Sequence, residues 1–138
     1  MREAPTDLPR LLEGVRVLVV EDDPDTLELD LTALQQAGAT VHGFSSAEQA
    51  LAALEGSRFD VLVSDIGLPE IDGFELMRRV RALGGACASM PALAVTAFGE
   101  EEHVAEAARA GFHAHVRKPL APSDLVVAIA CLAPRSRA

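Results

Sequence analysis

Short apolar runs and longer amphipathic stretches alternate five times along this chain. The apolar runs are Val15–Val20, broken only by Arg16, then Thr40–Phe44, Asp60–Ser64, Pro91–Val95 and Phe112–Val116. Short runs bounded by Gly, Pro or polar turns read as strands, and Val61-Leu62-Val63 as one buried on both faces. Between them the apolar positions take helical spacing: Leu27, Leu31 and Leu34, then Ala50, Leu51 and Leu54, then Phe74, Met77 and Val80. Helix starts carry cap signals. Asp23 precedes Pro24, and both Ser45 to Glu48 and Asp72 to Glu75 have the reciprocal capping spacing. A helix is predicted from about Glu100 to Ala110, with Glu100, Glu101 and Glu102 in a first turn whose dipole favours them, and a last one from Pro122 to Leu132. Gly38, Gly56, Gly84-Gly85 and Gly111 supply stops, and residues 84–90 read as a loop.

Strict β/α alternation implies a parallel sheet with right-handed crossovers and helices on both faces. The folded unit is expected over residues 14–133. Residues 1–13 read as a polar, proline-bearing arm or linker, in which Leu8, Leu11 and Leu12 could pack on the domain, and residues 134–138 as a tail.

Composition narrows the classes. At 138 residues, nearly half of them hydrophobic, one domain can bury a core without metal or disulfide help. A net charge of −9 repels a phosphate backbone and argues against direct nucleic-acid binding. Cys87 and Cys131 form no CxxC pair and read as reduced thiols. No apolar run approaches the ~18 residues of a membrane span, and Met1–Pro5 lacks the apolar core of a signal peptide. The expectation is a cytoplasmic protein that does not touch a membrane directly.

In a parallel α/β sheet, chemistry collects past the carboxyl ends of the strands. Those ends deliver Glu21 and Asp22, then Asp65, then Thr96, then Lys118. Several carboxylates in one shallow pocket must be protonated in part or share a cation. With oxygen ligands only, Mg²⁺ is the expected ion, with Mn²⁺ able to take its place. A carboxylate beside such an ion can attack phosphorus and form an aspartyl phosphate. Asp65 is central and is assigned that role, with Lys118 and the Thr96 hydroxyl facing the phosphoryl oxygens. Taken singly, each residue has an ordinary alternative: a solvated cap, a turn threonine, a surface lysine. Their arrival at successive strand ends of one repeat distinguishes the set.

The stretches Val19-Val20-Glu21-Asp22-Asp23-Pro24, Ser64-Asp65-Ile66-Gly67-Leu68-Pro69 with Asp72-Gly73, Val95-Thr96-Ala97 and Lys118-Pro119 together resemble the receiver domain of two-component response regulators. The resemblance covers about residues 15–132. It implies a flavodoxin-like (βα)5 fold with strand order 2-1-3-4-5. It also implies Mg²⁺ on Asp22, Asp65 and the Gly67 carbonyl, with Glu21 acting through water. Asp65 is then the phosphoacceptor, Thr96 the switch hydroxyl, Lys118 its ion-pair partner, and Lys118-Pro119 a cis bond. The implied donor is a sensor histidine kinase or a histidine phosphotransfer domain, and the implied response is a reshaped face over residues 100–132 for a downstream protein.

Two positions depart from the family pattern. His115 stands where Tyr or Phe is usual, which would make the switch pH-sensitive or leave an ordinary solvated histidine. Gly67 stands two after the acceptor, where a larger side chain is common, and opens the site to water unless Phe98 shields it. Leu11-Leu12-Glu13-Gly14 looks like the joint before receivers of hybrid sensor kinases, with a stand-alone regulator as the other setting. The competing readings are a degenerate receiver used for docking and an aspartate-nucleophile Mg²⁺ phosphatase. The phosphatase would want a second acid where Gly67 stands. A flavin or nucleotide binder would want a Gly- or Ser-rich first loop where Glu21-Asp22-Asp23 stands.

Overall fold

The computed structural model describes residues 10–97 and 104–133. Five strands form one parallel sheet: β1 Arg16–Val20, β2 Thr40–Phe44, β3 Val61–Asp65, β4 Ala92–Thr96 and β5 Ala114–Arg117. Their order is β2-β1-β3-β4-β5. The helices are α1 Pro24–Gln36, α2 Ala47–Gly56, α3 Gly73–Ala82, α4 Val104–Ala110 and α5 Pro122–Leu132, with a 3-10 turn at Gly85–Ala88. The expected flavodoxin-like fold is therefore present. No helix among the described residues is long and apolar enough to cross a membrane.

Side-chain alternation along the strands divides the interior into two cores. Leu18, Val20, Leu62, Ala92 and Ala94 meet Leu54, Phe74, Met77 and Val80 of α2 and α3 on one face. Val17, Val19, Val61, Val63, Leu93 and Val95 meet Leu34, Leu125 and Ile129 of α1 and α5 on the other. β1, β3 and β4 lie inside the sheet, so residues Val17–Val20, Val61–Asp65 and Ala92–Thr96 are all buried.

Several boundaries differ from the sequence pattern by a residue or two, for local reasons. β3 begins at Val61, not Asp60, because the Asp60 carboxylate turns back and accepts the Arg16 backbone N–H at 2.8 Å. β3 extends to Asp65, which pairs with Val95. β4 starts at Ala92 and includes Thr96, and β5 starts at Ala114 and includes Arg117. α2 is capped by Ser46, which accepts from the Gln49 N–H, while the Gln49 side chain reaches back to Ser45. The cap thus joins Ser46 and Gln49, with the Gln49 side chain accepting from Ser45, and does not pair Ser45 with Glu48. The expected start of α4 at Glu100–Glu102, the shielding role of Phe98 and His103 on the switch face lie outside the described residues. Of the arm expected at 1–13, residues 10–13 form a turn on the domain: Leu12 is fully buried, and its N–H donates to Ala37 O at 2.9 Å.

Candidate functional site

The parallel ladder sets the site, because every strand ends its carboxyl side at the same edge. β1 ends at Val20, so Glu21 and Asp22 follow directly, and the Glu21 N–H is held by Phe44 O at 3.0 Å. β3 ends in Asp65 itself, locked by the Ile66 N–H donating to Val95 O at 3.0 Å. Lys118 donates its backbone N–H to Thr96 O at 2.8 Å, which places its side chain beside β4. The Lys118-Pro119 bond is cis.

The side chains meet as a charged cluster. Lys118 Nζ donates to Asp65 Oδ2 at 3.0 Å and reaches Glu21 Oε1 at 3.2 Å. Asp65 Oδ1 accepts the Gly67 N–H at 3.1 Å, and Glu21 Oε2 accepts the Asp23 N–H at 3.0 Å. Carboxylate oxygens of Glu21, Asp22 and Asp65 all lie within 4.8 Å of one another; Glu21 and Asp65 are buried and Asp22 is exposed. Three carboxylates against one ammonium leave a net charge of about −2 in an all-oxygen pocket with one exposed side, which fits a divalent hard cation.

Burial pushes Glu21 above the ordinary carboxylate range, and the neighbouring Asp65 charge adds to that push; the Asp23 N–H and Lys118 oppose it. Burial alone would lower Lys118, but its hydrogen bond to Asp65 and the charges of Asp65 and Glu21 outweigh it and raise the ammonium. Asp23 is drawn below its usual value by the Thr26 hydroxyl and N–H, as befits an N-cap.

Thr96 is buried, and its Oγ1 donates across to Val116 O on β5 at 3.3 Å. Its hydroxyl therefore engages strand backbone and not the acidic cluster. His115 stands exposed on β5, on the face opposite the Val116 side chain. Gly67 leaves open space: a Cβ there would come no nearer than 3.9 Å to Asp65 Oδ1.

Two positions were missed by sequence reasoning. Gly73 was read only as part of a cap, yet a Cβ there would stand 2.7 Å from Ile66 Cα and 2.8 Å from Asp65 O. Only glycine lets α3 start this close to the end of β3. Asp30 carried no motif. It lines a groove of about 450 Å³ between α1 and α5 with Glu21, Leu29, Lys118 and Leu120. Its place between the apolar positions Leu27 and Leu34 on α1 was the available signal of a half-buried acid.

Burial raises Asp30 to about 6, with Lys118 opposing. A raised acid costs the fold nothing below about pH 4, and its ionisation penalty grows as pH rises through 6. Asp30→Asn is therefore expected to stabilise the protein by about 1 kcal/mol at pH 7.5, discounted for partial exposure, and by little at pH 4. Urea unfolding at both pH values measures this. Equal stability of the two proteins at pH 7.5 would contradict it.

Comparison with known proteins gives a consistent set of likenesses. Residues 17–130 match the family described as the response regulator receiver domain. An uncharacterized 14.6 kDa protein of Leptolyngbya boryana is 43% identical over 115 residues, 83% of this chain and 87% of that protein. The regulatory protein VanRc of Enterococcus gallinarum is 32% identical over 114 residues, 83% of this chain but 48% of its own length. The transcriptional regulatory protein TcrA of Mycobacterium tuberculosis is 44% identical over 70 residues, 51% of this chain and 28% of that protein. Among solved structures, the chemotaxis response regulator CheY4 of Vibrio cholerae matches with TM-score 0.80 and 29% identity, over 86% of this chain and 98% of that one. The receiver domain of the Pseudomonas aeruginosa sensor histidine kinase PA1611, solved with magnesium coordinated in its active-site cleft, matches with TM-score 0.78 and 26% identity, over 86% and 97%.

Proposed function

Because this chain belongs to the response regulator receiver domain family, and so to two-component signalling, we propose that Asp65 is its phosphoacceptor and that residues 14–133, with Leu12 closing the core, act as its switch. The observation that carries this is the bridge of Lys118 between Asp65 and Glu21, with Asp22 completing the acidic set at the sheet edge.

A carboxylate oxygen of Asp65 bonds to phosphorus while the phosphorus–nitrogen bond of a phosphohistidine breaks, the imidazole leaving with the electron pair. Asp22, Asp65 and the Gly67 carbonyl would hold Mg²⁺, or Mn²⁺, with Glu21 acting through water. The bound ion supplies charge neutralisation for an otherwise repelled phosphoryl group. Lys118 holds Asp65 in place beforehand and then pairs with a phosphoryl oxygen. Gly67, which puts no side chain beside Asp65, would leave the acyl phosphate open to water on that side. The chain thus promotes its own phosphorylation and dephosphorylation, the latter returning the Asp65 carboxylate and releasing inorganic phosphate. The phosphatase alternative lacks support, since the position two past Asp65 is glycine.

The donor is a sensor histidine kinase or a histidine phosphotransfer domain in the cytoplasm. The setting is a receiver within a hybrid kinase or a single-receiver regulator, since relatives include the probable histidine kinase 6 of Oryza sativa, of which this chain spans 15%, and the short Leptolyngbya protein.

Intact mass after incubation with acetyl phosphate and Mg²⁺ tests the reading. A gain of one phosphoryl group, lost with EDTA, is expected. No gain, together with no binding of beryllofluoride, would sink it and favour a docking module.

Thr96 is the proposed switch hydroxyl. To reach a phosphoryl oxygen it must leave Val116 O, which loosens β5 where His115 lies. Thr96→Ala is expected to keep labelling of Asp65 within a few-fold while reducing the beryllofluoride-induced NMR shift changes along β5 by at least about half. Unchanged shifts in the variant would remove Thr96 from the switch.

A further inference from the structure

At the opposite edge of the sheet, far from Asp65, the entry of β5 is fastened to β4 by one histidine. The His113 backbone N–H donates to Ala92 O at 2.8 Å, and the Ala92 N–H donates to His113 Nδ1 at 3.1 Å. The β4–β5 register begins only one residue later, with Leu93 opposite Ala114. A backbone N–H can only donate, so the second bond requires an unprotonated Nδ1 and a neutral ring carrying its hydrogen on Nε2. His113 is exposed as a residue, so protons reach the ring, yet its Nδ1 is turned onto the backbone.

The surroundings oppose a charged ring. Arg81 of α3 is fixed nearby, its guanidinium donating to Cys87 O at 2.9 Å and to Gly111 O at 2.5 Å. Burial, and then the Arg81 charge, hold the His113 imidazole below its usual value. Of the elements around it, β4 carries no titratable side chain, the 3-10 turn carries Cys87, and α4 carries Glu106 and Arg109. Of these charges, Arg81 is the one that pushes the ring toward its neutral form.

We propose that His113 is a pH-operated latch: protonation of Nδ1 removes the acceptor for the Ala92 N–H, sets a second cation beside Arg81, and frees the entry of β5 from β4. The latch is complete above the ordinary imidazole range, near 6.5, and opens as pH falls through the lower value held in the fold. It acts on the strand that carries Val116, whose carbonyl holds Thr96, and that runs on to Lys118. The latch does not depend on Asp65 being phosphorylated.

The test is amide hydrogen exchange at Ala92, corrected for intrinsic rate, at pH 7.5 and pH 5, in the wild type and in His113→Asn. Asparagine Oδ1 can replace Nδ1 as acceptor but does not titrate. Protection of Ala92 in the wild type is expected to fall about tenfold on acidification and to change less than about twofold in the variant. The variant retains His42, His103 and His115, so their titration cancels in the comparison. Equal pH dependence in both proteins would overturn the proposal. So would imidazole ¹⁵N spectra of the wild type at pH 7.5 showing the hydrogen on Nδ1, a measurement that needs no variant to fold.

Discussion

Asp65→Asn is expected to cut phosphoryl incorporation from acetyl phosphate by at least about a thousandfold while leaving the protein folded. Removing the proposed nucleophile would cost a factor of this order or more, because neighbouring groups can orient the donor but cannot form the bond. Asparagine keeps an oxygen for the Gly67 N–H that Asp65 Oδ1 accepts at 3.1 Å. It loses the charge that Lys118 meets at 3.0 Å and that helps push Glu21 upward. Repulsion between two buried carboxylates is thereby relieved, so little stability should be lost. Intact mass measures the labelling and urea unfolding the stability. Persistent stoichiometric labelling of the variant would move the acceptor to Glu21 or Asp22.

Lys118→Met is the second large effect, and it should separate three quantities. Incorporation is expected to fall about a hundredfold, since a positioned cation at the developing phosphoryl charge is lost. Stability without divalent ions should fall by about 2 kcal/mol, because Glu21 and Asp65 are left buried without their partner; the 34% exposure of Lys118 keeps the loss below that of a fully buried pair. Mg²⁺ should bind about tenfold more tightly, because the ammonium no longer competes with the ion for the same oxygens. The sign with pH follows from the raised values. Lys118, raised in the fold, contributes below its unfolded value of 10.5 and is lost only as pH rises beyond it. Glu21, also raised, is penalised increasingly as pH rises above 4.5. The stability deficit of Lys118→Met should therefore shrink on acidification toward pH 4. Calorimetric Mg²⁺ titration together with unfolding at two pH values checks this; weaker Mg²⁺ binding in the variant would show that Lys118 supports the ion site instead of competing with it.

Most of the architecture was legible in the chain. Five apolar runs separated by capped, helically spaced stretches imply a parallel α/β sheet, and the strand order followed from the resemblance carried by the acidic turn, Asp65, Thr96 and Lys118-Pro119. The boundary errors were local. Asp60 belongs to the polar edge of an apolar run, and its side chain answers a neighbouring strand, Arg16, that lies 44 residues away. Ser45 and Ser46 are adjacent potential caps, and only the backbone direction after β2 selects the second. Leu12 looked like part of an arm because its burial depends on the end of α1 folding back over it.

Residue type and order by themselves determined which groups reach the carboxyl edge of the sheet, since in a parallel sheet every strand ends on the same side. What they could not determine is how those groups are oriented once there. That Thr96 points to Val116 O, that Lys118 spans both Asp65 and Glu21, and that His113 accepts the Ala92 amide are relations between strands far apart in sequence, and that Gly73 must lack a side chain depends on how closely α3 packs back on the end of β3. The physical reason is range. Hydrophobic period and caps act within a few residues and set the elements. A hydrogen bond needs its partners within about 3 Å at a favourable angle, and only the packed sheet supplies that.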